Sequence, residues 1–295
     1  MTYPVQVVAP QDVVLPPVSD IELGRRRYRR DRAVRSTAVA AVSTLLFAFV
    51  VAFGLSRAPG WSRIQQSFFD FSLAKKSFHP ILDGLWLNLR VLAVSEVCIL
   101  ALALLVAGLR TVQGAVFFPV RVLATAYVDF FRGLPLIILL YLIGFGVPGL
   151  RFSWLPNNPT VLGTIALVLC YGAYVAEVFR SGIQSVHPSQ RAAAASIGLT
   201  YMQSMRLVIL PQAIRRVVPP LLNDFVALQK DVGLISVLGA IDAVRQAQIL
   251  QAQYFNFTPY VVAGLMFVVL AIPTGRVADA AAARARRREQ SGSLV

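Results

Sequence analysis

Six stretches of the chain are apolar for about the length of a membrane crossing, and polar segments bearing glycine and proline separate them. They run over 34–55, 85–109, 120–143, 161–179, 218–238 and 260–275. About 20 apolar residues carry a helix through the hydrocarbon core of a bilayer. Lipid offers no partner to backbone N–H and C=O groups, so the crossing element must satisfy its own. The pattern predicts an all-α, polytopic membrane protein with about six transmembrane helices. The last stretch is short, and its helix is expected to extend beyond Arg276.

Composition agrees with that pattern. The 295 residues are 57% hydrophobic and 14% charged, with a mean hydropathy of +0.66, well outside the soluble range. A net charge of +14 is gathered in clusters beside the apolar stretches. "GRRRYRRDRAVR" (24–35) precedes the first stretch and "RARRRE" (284–289) follows the last. Lys and Arg mark the cytoplasmic side of a membrane protein, so both termini are expected in the cytoplasm, which an even number of crossings satisfies. The same orientation puts Arg110, Arg121, Arg180, Arg191, Arg206, Arg215 and Arg216 inside. It leaves Arg57, Arg63, Lys75, Lys76, Arg151 and Arg245 outside. Charge that flanks crossings points to the lipid bilayer as partner and argues against nucleic acid. The first residues hold acids and prolines before any apolar run, so no cleaved signal peptide is expected.

Little suggests bond-making chemistry. Cys98 and Cys170 each lie inside an apolar stretch and read as small buried hydrophobes. His79 and His187 each precede a proline and have no second ligand at metal spacing. No metal or cofactor is expected. The chain has no GxxxxGK[ST] phosphate loop, and no nucleophile, base and orienting group fall together. It does not read as an enzyme, and any ATP-driven work would need a separate ATPase.

One polar segment, "RAAAASIGLTYMQSMRLVILPQAIRR" (191–216), carries local signals. Ser189 can cap a short helix over 190–197. Gly198 can end it in the left-handed conformation. Thr200 and Gln203 have capping-box spacing for a second helix, which Pro211 should interrupt or kink. The prediction is helix, glycine corner, helix on the cytoplasmic side. The plainer alternative is an alanine-rich amphipathic linker.

That segment resembles the signature loop of permease subunits of ABC importers for polar amino acids. The signature is Glu-Ala-Ala, three residues, Gly, nine residues, then Ile, any residue, Leu-Pro. Ala193, Ala194, Gly198, Leu210 and Pro211 stand in place; Val208 replaces the isoleucine and Ala192 the glutamate. "FFRGLPLIILL" (130–140), "AYVAEVFRSGI" (173–183) and "LQKDVGLISV" (228–237) are similar to further family segments in the same order, with Leu134, Val232 and Gly233 as departures.

The resemblance implies a type I importer permease core of five helices plus one extra N-terminal helix, in the cell (inner, cytoplasmic) membrane. The domains would be a basic tail over 1–33, expected to be disordered, the extra helix over 34–57 and an extracytoplasmic interfacial segment over 58–80. The permease domain would cover 81–280, with its cytoplasmic coupling loop at 180–217, and a basic tail 281–295. An ordinary anchored loop is the other reading of 58–80. Partners implied are two ABC ATPase subunits, a second copy or a homologous permease, an extracytoplasmic solute-binding protein and an amino-acid substrate. Coupling to the ATPase would fall to Arg191, Ala192, Ala193, Ala194, Gly198, Leu210 and Pro211. Arg191 or Gln190 would stand in for the lost glutamate, or packing would carry the docking.

Ionisable groups inside crossings are costly and usually face a cavity or one another. The pathway candidates are Glu96, Asp129, Arg132, Asn223, Asp224, Lys230 and Asp231. Asp129 and Arg132 share a helix face at pairing distance. Mixed charge suits a zwitterion; helix-to-helix ties are the other use of such groups. Asn88 and Arg90 read as interfacial, and Arg180 can snorkel while pairing with Glu177. Pro135 and Pro219–Pro220 should kink their helices. An ion-gradient secondary transporter, with the buried acids as coupling sites, remains the alternative. A channel lacks the pore-lining polar repeat it would need.

Overall fold

The computed structural model describes residues 20–112, 114–151 and 156–292. The disorder expected of 1–19 lies outside them. The chain divides into two compact units, 1–63 and 64–295. The first holds α1 (Asp20–Arg57). This helix begins ahead of the arginine cluster, so residues 20–33 are helical rather than disordered as expected. Arginine is a good helix former, and Gly24 alone is too weak an interruption to stop it. Thirty-eight residues at a rise of 1.5 Å give roughly 57 Å, nearly twice a hydrocarbon core of about 30 Å. The apolar half can cross while the arginine half projects.

The segment 58–80 is helical and not an open loop. A short helix α2 (Trp61–Phe68), in which the boundary between the units falls, leads into α3 (Phe71–Thr111). Asp70 caps α3 by accepting the Leu73 N–H at 3.0 Å. A 3₁₀ turn (Ala115–Phe117) precedes α4 (Phe118–Gly133), which is followed by α5 (Leu136–Tyr141), a π turn (Leu142–Gly146) and α6 (Val147–Gly149). The third apolar stretch therefore makes no straight crossing: its two halves meet at 106°. Leu134 at the break is extended, with ψ 131°, because the ring of Pro135 clashes with a helical predecessor.

Next comes α7 (Pro159–Gln184), capped by Asn158, which accepts from Thr160 and Val161. Beyond it lie α8 (Pro188–Ser196), α9 (Tyr201–Ser204), a π turn (Met205–Ile209) and α10 (Leu210–Asp231). A 3₁₀ turn (Val232–Leu238) leads to Gly239, at φ 92°, and then to α11 (Ala243–Tyr254) and α12 (Thr258–Gly292). The basic segment expected as a tail from 281 is part of α12 as far as Gly292. Pro219 and Pro220 sit inside α10 without breaking it; their φ is already helical, and only two N–H donors are lost.

Among the described residues four helices are long and apolar enough to cross a membrane, and the bent α4–α5 pair, taken as one span, makes a fifth. The remaining predicted stretch, 218–238, forms α10 and its 3₁₀ extension, whose polar and charged residues set it apart from the others. The core lies where α3, α4, α7 and α10 meet, around Ile99, Val128, Leu167 and Leu228, with Ile235 of the 3₁₀ turn. Gly163 allows the close approach there, since a Cβ would stand 2.7 Å from Ile235 Cγ2. A second cluster joins Ile81 and Leu85 of α3 to Ala243, Ala247 and Met266. Cys170 is buried as expected, but Cys98 is exposed on α3, on a surface that lipid rather than protein can cover.

Candidate functional site

Two constructions stand out, an exposed elbow over 188–211 and a set of polar groups among α3, α7 and α10. In the elbow, α8 starts two residues earlier than predicted and is capped by His187, whose Nδ1 accepts the Ser189 N–H at 3.2 Å. Pro188 at the first helical position fixes that start. At the other end Leu199 N–H bonds Ala194 O at 3.1 Å and Gly198 N–H bonds Ala195 O at 2.9 Å. These two bonds close the helix with a left-handed residue between them, and Gly198 supplies it at φ 80°. Thr200 and Gln203 form the predicted capping box of α9. Pro211 falls in the first turn of α10, and the backbone ahead of it widens into the π turn.

Ala194 is buried, whereas Arg191, Ala192, Ala193, Leu210 and Pro211 are exposed. Open space surrounds the Cβ position of Gly198, so its conformation, not crowding, calls for glycine. Behind the elbow Val186, Ile209 and Ala213 pack together. Arg191 Nη2 donates to Ile183 O at 3.3 Å, and Arg216 donates to Ser185 O. The first bond fastens the elbow, and the second α10, to the end of α7.

Of the pathway candidates, Glu96 lies on α3 and Asp224 on α10, helices that touch each other. Asp224 Oδ2 is buried with no hydrogen-bond partner among the described residues. Asp231 accepts the Tyr171 hydroxyl at 2.7 Å. Asn223 and Lys230 are exposed. The expected pairing of Asp129 with Arg132 does not form: both are exposed, and Arg132 lies 5.6 Å over the Tyr174 ring. The Tyr174 ring of α7, itself exposed, takes the cation instead.

Glu177 does pair with Arg180, its Oε2 accepting from Nε at 2.9 Å, and also takes Arg110 Nη1 of α3 at 2.7 Å. The second arginine was not foreseen, since only the packing of α3 on α7 brings it there. Arg90 lies 5.3 Å over Trp86, as suits an interfacial position. Asn88 does not share it. It is buried, donating to Asp242 Oδ2 at 2.9 Å and to Val232 O at 3.3 Å and accepting from Ala243 N at 3.1 Å. Gln229, also buried, accepts from Thr274 at 2.8 Å.

This architecture has relatives. The model of the binding-protein-dependent transport system inner membrane component matches residues 99–287. The chain belongs to that family. Its members are transport components rather than enzymes, and the spacing of the elbow is where the signature read from the sequence lies. A relative within reach of the family assignment is the probable glutamine ABC transporter permease protein GlnM of Bacillus subtilis (strain 168), 36% identical over 207 residues, 69% of this chain and 92% of the relative. The arginine transport system permease protein ArtQ of the same organism is 31% identical, over 69% of this chain and 91% of the relative. A crystal structure of an amino acid ABC transporter with histidines is 32% identical with a TM-score of 0.67, covering 74% of this chain and 98% of that one. This inner membrane component is thus longer than those relatives.

Proposed function

We propose that the chain is the permease subunit of an ATP-driven importer for polar amino acids. The α8–Gly198–α9 elbow is its coupling handle, gripped by an ATPase subunit. The observation that carries this reading is the elbow itself, two capped helices held at a fixed angle by a left-handed glycine, with small alanines outward. Ala192 and Ala193 let a partner's backbone approach closely, and Arg191 binds the elbow to α7, so a push on it is delivered to a crossing helix. Both termini and the elbow lie in the cytoplasm in this reading. Two ATPase subunits, a second permease and an extracytoplasmic binding protein complete the assembly. Glu96, Asp224 and Asp231 sit where α3, α7 and α10 meet, a place suited to the ammonium group of a passing amino acid.

The test is Gly198→Leu in the reconstituted complex. A Cβ there meets no atom within 4 Å, but a left-handed leucine is strained by about 1–2 kcal/mol, so the elbow should reopen. Transport-linked ATPase activity should be lost while membrane insertion stays normal; undiminished coupled activity would sink the reading. The acids at Glu96 and Asp224 favour one rival, an ion-gradient transporter, which predicts uptake that survives ATP depletion and stops with an uncoupler.

A further inference from the structure

We infer that the surface docking on the elbow is acidic: Arg191 meets a carboxylate of the ATPase subunit beside an apolar knob formed by Ile197 and Met202. This rests on the coupling reading and adds the chemistry of the partner's face. Between Glu177 and Asp224 the chain has five arginines, at 180, 191, 206, 215 and 216, and no lysine, aspartate or glutamate. Orientation in the membrane accounts for the arginines but is nearly indifferent to carboxylates. The two basic ends of the chain do interleave acids, Glu22 and Asp31 at one, Asp279 and Glu289 at the other. The stretch 178–223 holds no acid of its own, and the acid nearest to Arg191 in the sequence, Glu177, is already shared by Arg110 and Arg180.

The geometry makes Arg191 available. Among the described residues it makes one bond, to Ile183 O, which steadies the guanidinium and leaves most of its donors for an outside acceptor. It borders a recess of about 250 Å³ with Ala195, Leu199, Tyr201 and Met205. Ile197 and Met202, 76% and 70% exposed, stand on either side of Gly198. Such a surface fits an apolar seat with a carboxylate at its edge, where arginine makes its two-pronged pair. A basic seat would set like charges face to face and be rejected. The one acid that the signature would place here is Ala192, so nothing on the elbow offsets Arg191 from its own side.

The full chain in nanodiscs of zwitterionic lipid, titrated with the ATPase subunit of its assembled transporter across a salt series, tests this. Arg191→Glu should weaken binding about tenfold or more, Arg191→Gln less, and Arg191→Lys least. The gap to the unaltered chain should close as salt rises. A lysine in place of the facing carboxylate should restore Arg191→Glu. If Arg191→Glu fails to fold, the order of the lysine and glutamine variants carries the result. Equal binding by all variants, or a deficit indifferent to salt, would overturn the inference, as would a deficit appearing only with anionic lipid, which would make the bilayer the partner. Ala195→Cys separates the two levels. If it crosslinks to the ATPase while Arg191→Glu is neutral, only the acidic face is lost; if it crosslinks to no ATPase, the coupling reading falls too.

Discussion

Replacing Asn88 should loosen the whole second unit. The side chain is 1% exposed and makes three bonds from α3, to Asp242 Oδ2, to Val232 O and from Ala243 N. Asn88→Ala leaves Asp242 with the Arg245 N–H of its own cap and strips Ala243 N–H of its acceptor. The bond to a carboxylate is worth about 1.5–3 kcal/mol, and a buried donor left unmet costs about 1–3 kcal/mol. The long bond to Val232 adds little, so about 3–5 kcal/mol is expected in all. At about 2–4 °C per kcal/mol for a unit of this size, the melting midpoint of the detergent-purified chain should fall by roughly 6–20 °C. Asn88→Leu fills the same space without the bonds and should fall nearly as far. A leucine variant as stable as the unaltered chain would show that packing, not hydrogen bonding, holds this corner, and a small shift in both would refute the reasoning.

Other outcomes follow from equally local features. Gly163→Val should cost about 1–3 kcal/mol by overpacking, because even its Cβ reaches to 2.7 Å from Ile235; a melt of the purified chain reads it. Glu177→Gln keeps the shape but releases Arg110 and Arg180, whose side chains and that of Glu177 are 11% to 28% exposed. A loss of about 1–2 kcal/mol is expected after allowing for solvent screening, checked by the same melt at low and high salt. A chain starting at residue 58 should retain the melting midpoint of the full chain, since 1–63 is a separate unit. Tyr174→Phe removes the donor to Arg132 O at 3.2 Å, and amide exchange around the α4–α5 break should quicken.

The local signals in the sequence translated directly into structure. The capping box at Thr200 and Gln203 and the left-handed Gly198 depend on neighbours along the chain, and so could be read without the fold; the cap of α8 is misplaced by that reading, falling to His187 and not to Ser189. Pro135 gave a break, although its angle of 106° is fixed by what the two halves pack against. Long-range groups were not legible. Asn88 looked interfacial because its partners, Val232, Asp242 and Ala243, lie more than 140 residues away. Asp129 and Arg132 had pairing distance in their favour, but Tyr174 from another helix took the cation. Pro219–Pro220 illustrate the converse, two strong local breakers that a helix absorbs. Of the polar pathway, the bond from Tyr171 to Asp231 needed the packing of α7 on α10.

At the break in the third stretch, carbonyls in the last turn of α4 are left without helical partners. α7 answers two of them, with the Cys170 thiol 3.9 Å from Phe131 O and the Tyr174 hydroxyl on Arg132 O. The corner is consequently propped from outside its own chain segment. Were α7 to slide along its axis by even one side chain, naked peptide oxygen would be turned toward hydrocarbon. These two contacts favour movement of α4 and α7 together.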